Sequence, residues 1–269
     1  MSTRATANRA MKSAANSKGL EMLARVGFGA SALVHILLGY LAIRVASNGG
    51  GESDQSGAMA EITKLPGGTV LIWVVTIGLF ALALWLVVEA ITGIGSASDK
   101  RWVRSLVPAG KAVAYAAVGI TALTFAMGQS TSNAESTQQT SASILQMPGG
   151  QILLGVVGVA VVGIGGYFVF KGVTKKFEED LTMPSGTVGR VVRVMGVVGY
   201  VAKGIAVGVM GILFVVAAVK VDPENATGLD GALKSLVELP FGVVILVAVG
   251  VGLIAYGLYT VVRARFARL

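Results

Sequence analysis

Four ionisable side chains sit within long apolar runs of this sequence: His35, Glu89, Lys111 and Lys203. Inside a bilayer such groups are functional candidates, because a lysine at the hydrocarbon centre costs roughly 2.5–3.5 kcal/mol on insertion scales. The chemistry open to them is proton relay, ligand binding or counter-ion pairing. Lys203 lies ten residues beyond Arg193, about 15 Å along a helix, so it starts well inside the bilayer. Lys111 lies seven residues beyond Arg104. The bland alternative for both is snorkelling, in which the aliphatic stem carries the ammonium back to the headgroups. His35 reads as a proton relay or as a neutral imidazole hydrogen-bonded between helices. Glu89 ends its apolar run at the inner interface, where it would either pair with Lys111 or Lys203 or stay solvated.

Composition narrows the chemistry further. The 269 residues hold no Cys and one His, which excludes disulfides, iron–sulfur clusters, thiolate nucleophiles and Cys-based zinc sites. No HExxH, P-loop or GxSxG pattern occurs. No nucleophile–base or acid–base pair is visible, so the expectation is a protein without enzymatic activity, without cofactor and without metal. The charge is +8, but the basic residues flank apolar runs, which reads as a topology signal and not as nucleic-acid binding.

The elements that hold these residues follow from hydropathy. The chain is 54% hydrophobic and 13% charged, with a mean hydropathy of +0.75; an average soluble domain is about 25% charged. Six runs are long enough to span hydrocarbon, Val26–Ala46, Thr69–Ile91, Ala109–Gly128, Gln151–Gly172, Val194–Val219 and Phe241–Val262. In hydrocarbon each must be a helix. Sixteen basic residues flank one side of these spans and four the other, which also carries eight acids. The positive-inside rule therefore puts both termini in the cytoplasm, of a bacterial plasma membrane. The first run is too long for a cleaved signal. The basic tail, residues 1–20, is expected either as disordered or as part of a surface helix over Arg9–Arg25.

The chain also repeats itself three times, over 21–95, 105–178 and 187–266. The anchors are Leu65-Pro66-Gly67-Gly68, Met147-Pro148-Gly149-Gly150 and Leu239-Pro240-Phe241-Gly242. Each opens an even-numbered span from the outer side, where Pro suits a first helical turn. Counting from Pro aligns Gly78, Ala160 and Gly252, then Trp85, Tyr167 and Tyr259, expected at the inner interface, then Glu89, Lys171 and Arg263. In the odd spans Gly39, Gly119 and Gly211 align, with Ser31, Lys111 and Lys203 eight residues earlier. These glycines, with Gly204 and Gly208, are read as helix-packing positions. Apolar spacing before each Pro predicts a short amphipathic helix lying on the outer surface. Two spans per unit make parallel repeats, with a pseudo-threefold six-helix bundle about the membrane normal as the expected arrangement.

This pattern resembles a bacterial membrane family, common in actinobacteria, whose domain is catalogued as of unknown function. The resemblance covers about Leu20–Arg265 and rests on the three P-x-G turns with Gly39, Gly119, Gly211, Trp85, Tyr167 and Tyr259. It implies fold and location but no activity. The middle unit departs most, with Ala160 in place of Gly and a Ser/Thr/Gln-rich loop at Ser130–Ser143. Two functional readings follow. One is a non-enzymatic accessory or scaffold component that contacts lipids and another membrane protein. The other is a channel or small-solute transporter with a path near the pseudo-threefold axis.

Overall fold

A computed structural model describes residues 18–47, 51–92 and 101–267. Most of the basic tail, the first half of the surface helix expected over Arg9–Arg25, and Lys100 lie outside the described residues. Among the described residues six helices are long and apolar enough to cross a membrane. They are α1 (Lys18–Ala46), α3 (Gly68–Thr92), α4 (Arg101–Ala126), α6 (Gly150–Val173), α7 (Gly186–Lys220) and α9 (Gly242–Phe266). Between the members of each pair lie α2 (Gln55–Lys64), α5 (Asn133–Leu145) and α8 (Gly228–Ser235). Three spanning helices, α1, α4 and α7, begin eight residues earlier than the apolar runs suggest. Helix α4 runs through Pro108, which lacks the N–H that would reach back one turn. Helix α7 starts at Gly186 and carries Arg190 and Arg193 on its first turns.

The Pro turns have a common mechanical origin. The residue after Pro is left-handed in all three, with φ of 76° at Gly67 and Gly149 and 62° at Phe241. The next amide donates to the carbonyl before Pro: Gly68 to Leu65, Gly150 to Met147 and Gly242 to Leu239, at 2.8–2.9 Å. Pro at the second position and a left-handed third residue suit a type II turn. Side chains at Gly68, Gly150 or Gly242 would strike the carbonyls of Ile62, Ile144 and Leu236, each four residues before its Pro.

The three units meet through equivalent seams. Helix α9 packs on α1, α3 on α4, and α6 on α7. A side chain at Gly39 would overlap the Gly250 carbonyl and Ile254; one at Gly211 would lie 2.5 Å from the Val162 nitrogen and 2.8 Å from the Gly158 carbonyl. Gly250 and Gly158 both lie ten residues after their Pro, and Ile254 and Val162 fourteen. At the third seam the atoms nearest a side chain at Gly119 are those of the Phe80 ring, at 3.2 Å. Gly204 packs on the Gly165 carbonyl, whereas a side chain at Gly208 would meet nothing within 4 Å. So Gly208 contributes backbone to this contact, not a vacated side-chain position.

The short helices α2, α5 and α8 do more than lie on a surface. Met59 and Ile62 of α2 and Leu233 of α8 are fully buried in the main core. The position ten before each Pro links one unit to the next. Asp230 accepts from the Ser53 amide at 2.7 Å, Ser56 from the Asn133 amide at 3.1 Å, and Gln138 donates to the Glu224 carbonyl at 3.3 Å. These bonds run from the third unit to the first, the first to the second and the second to the third, closing a ring over the end of the bundle that carries the Pro turns. Helix α5 is the least apolar of the three, and only its Ser141 is buried.

Within the units the packing is unequal. Helices α1 and α3 pack together, as do α7 and α9, but α4 and α6 make no substantial contact. The six spans thus form an arc in the order α4, α3, α1, α9, α7, α6, with its ends apart.

Candidate functional site

The sequence explains why the middle seam opens. In the first unit a side chain at Gly27 would overlap Gly78 and Leu82; in the third, one at Gly199 would lie 2.6 Å from the Tyr256 backbone. The middle counterpart is Val107, 44% exposed, facing a helix whose Ile164 is 50% exposed. Gly78 and Gly252, packed on Ala30 and Ala202, are replaced by Ala160. Gly110, the counterpart of Ala30 and Ala202, has nothing within 4 Å of where a side chain would start. Small residues let backbones meet in a membrane; the middle unit has Val107 where the others have Gly27 and Gly199, while at the second place it exchanges the Ala–Gly pair for Gly110 and Ala160.

Just inside this arc lie the equivalent residues Ser31, Lys111 and Lys203. Buried Ser31 has its hydroxyl 3.4 Å from the Tyr115 hydroxyl. Lys203 is partly buried, and its ammonium lies 3.1 Å from His35 Nε2, 4.3 Å from the Tyr256 ring centre and 5.2 Å from that of Phe168. Nδ1 of His35 lies 2.7 Å from the Ser31 carbonyl. A carbonyl only accepts, so Nδ1 carries the proton and Nε2 accepts from the ammonium. The aromatic faces add cation–π attraction. Lys203 therefore points into the bundle and pairs with the single histidine, not with Glu89 and not with headgroups. His35 and Tyr115 occupy the same place in their units, four residues after Ser31 and Lys111; the third such residue is Val207. Among the described residues Lys111 has no hydrogen bond or ion pair, and it is exposed.

The residues twenty-three after each Pro converge at the end of the bundle opposite the Pro turns. Lys171 is buried and donates to Asp180 at 2.6 Å; Arg263 approaches the same oxygen at 3.7 Å and stacks on the Phe28 ring at 4.7 Å. Burial alone would raise the Asp180 carboxyl, but Arg263, Lys171 and Lys111 outweigh it and hold it below the usual carboxylate range. Glu89, the third member, is partly buried in the field of Lys111 and Arg263, without a direct ion pair among the described residues. Asp180 lies in a 3-10 turn, Lys176–Asp180, whose Phe177 is fully buried. Phe177 stacks on Tyr200 at 5.4 Å and meets Tyr259 edge-on at 5.3 Å, while the Tyr259 hydroxyl donates to its carbonyl. Gly196 leaves room for this ring.

Sequence reasoning missed Asp180 and Phe177, which lie in a connection between units and follow no repeat position. It did align Lys171 and Arg263 with Glu89. Tyr167 is exposed, but Trp85 and Tyr259 are buried in side-chain packing, because both pack on neighbouring helices of closed seams.

Fold and site together define a polytopic α-helical membrane protein of three tandem two-helix units. The family model described as "Domain of Unknown Function (DUF1206)" matches residues 26–93, 107–175 and 198–267, and the chain belongs to that family. It is 30% identical to the "Uncharacterized protein YxxB" of Bacillus subtilis (strain 168) over 254 residues, covering 93% of this chain and 92% of that protein. That relative gives no support to an actinobacterial bias. No solved structure matches.

Proposed function

We propose that this protein is a non-enzymatic, lipid-engaging component of a membrane assembly, admitting an amphiphile between α4 and α6. The observation that carries this reading is the unpacked middle seam in an arc whose outer end is tied shut. A groove open sideways to the bilayer and closed above suits a molecule arriving along the leaflet better than a solute crossing from side to side. The units are read as copies rotated about the membrane normal, with the middle copy splayed. The location is the bacterial plasma membrane with both termini cytoplasmic, on the strength of the basic flanks. A second membrane protein is the expected partner, and nucleic acid is not.

The Cys-free chain allows a direct test. Cysteine pairs at Ala30 and Gly78, Gly110 and Ala160, and Ala202 and Gly252 probe the same place in the three units. Cross-linking of the first and third pairs but not the second supports the open seam, and lipid retained after mild detergent extraction supports its occupancy. Efficient cross-linking of Gly110 to Ala160 in native membranes would remove the basis for the reading. The interior pairing of Lys203 with His35 favours a second reading, small-solute transport. Under that reading Lys203→Met folds normally and abolishes flux in reconstituted vesicles.

A further inference from the structure

The inner end of the open seam holds more positive charge than its carboxylates neutralise. Lys111, Lys171 and Arg263 stand around Asp180 and Glu89, three cations against two anions. Asp180 is shared by Lys171 and Arg263, and the Arg263 Nε is buried without a hydrogen-bond partner among the described residues. Lys111 is the cation left over. Its counterpart Lys203 has His35 and two aromatic rings. At the place of His35 the unit facing Lys111 offers Val207, and at the place of Tyr256 its own unit offers Ile164. Lys111 also stands one helical turn beyond Val107, on the same face of α4, and so at the edge of the unpacked seam. It is six residues into a span that starts at Ser105, roughly 9 Å along the helix. An ammonium at that depth needs an anion or water.

We infer that Lys111, backed by Lys171 and Arg263, holds the phosphate of an anionic phospholipid whose acyl chains lie in the seam between α4 and α6. This rests on the lipid-engaging reading and adds the headgroup class to it. A membrane phospholipid is favoured over a free phosphate because the walls beside Lys111 are apolar and exposed: Val107 on α4 and Ile164 on α6. Such walls offer a small inorganic anion nothing and match acyl chains. The charge excess sits on the side where the basic flanks place the cytoplasm, the leaflet whose headgroups would reach it.

The test uses the full chain in nanodiscs of phosphatidylcholine doped with phosphatidylglycerol, followed by mild detergent release and native mass spectrometry. Wild-type protein should retain phosphatidylglycerol in preference to phosphatidylcholine. Lys111→Gln should lower that preference about fivefold, the weight of one cation at an anionic surface, while still carrying a lipid. Lys111→Arg should keep it, and Lys220→Gln, on the opposite side, should leave it unchanged. Equal retention of the two lipids by wild type would overturn the headgroup assignment and leave the open seam standing. No retained lipid in any variant would overturn both. Displacement of phosphatidylglycerol by millimolar inorganic phosphate would assign the site to a free anion and overturn the lipid.

Discussion

The third unit and the middle unit carry the same two-helix plan and end up differently packed. In the third, Gly199 and Gly252 let α7 and α9 touch, and Lys203 is enclosed with His35, Tyr256 and Phe168. In the middle, Val107 and Ala160 stand at the matching places, the helices stay apart, and Lys111 is exposed without a hydrogen bond or ion pair among the described residues. A few methyl groups at one seam thus separate an enclosed charge from an open one. The difference is one of packing, since both units keep the same turn and the same register against their neighbours.

The comparison breaks most forcibly at Gly199. Gly199→Val puts the middle unit's residue into the third, where it meets the Tyr256 backbone at about 2.6 Å. The expected loss is about 1–3 kcal/mol or more, read as a drop in thermal stability in detergent, with Gly110→Ala as the near-neutral control. An unchanged melting temperature would show that these glycines do not set the seam.

Next comes the strap that joins the middle unit to the third. Asp180→Asn leaves buried Lys171 and partly buried Arg263 without their shared carboxylate, at about 1–3 kcal/mol. The carboxyl is held below its usual range in the folded protein. Its contribution is therefore present above the unfolded value of about 3.9 and lost as pH falls through the lower folded value. Wild type should lose stability relative to Asp180→Asn in that acidic window, measured by intrinsic fluorescence across a pH series. Parallel pH profiles for the two proteins would remove Asp180 from the strap.

Val107→Gly combined with Ala160→Gly sharpens the comparison from the other direction. It should draw α4 toward α6, shortening the distance between spin labels placed on the two helices, and reduce co-purifying lipid. A distance unchanged from wild type would mean that something other than side-chain bulk holds the seam open.

The smallest effect is expected at the turn of the third unit. Phe241 is left-handed and 85% exposed where the other units have Gly67 and Gly149. A non-glycine residue there costs about 1–2 kcal/mol, partly offset by the chain entropy that glycine loses. Phe241→Gly should therefore gain about 0.5–1 kcal/mol, seen as a small rise in melting temperature; a fall would show that the exposed ring contacts something in the membrane.

Six spans, three copies and the turns were legible in the sequence because each depends on local rules. Hydrocarbon forces apolar runs into helices, and Pro66, Pro148 and Pro240 mark the same backbone turn wherever they occur. The glycines were legible as packing positions, but not as lying between units in one case and within a unit in another. Both kinds recur with the same spacing, and only the packed bundle says which neighbour each meets. The pairing of Lys203 with His35 joins residues 168 positions apart on different helices, which no spacing rule reaches. The Asp180 hub follows no repeat position at all. Depth and charge were set by sequence; which cation is enclosed and which is left open was decided by how closely two helices could approach, a property of side-chain volume across a seam.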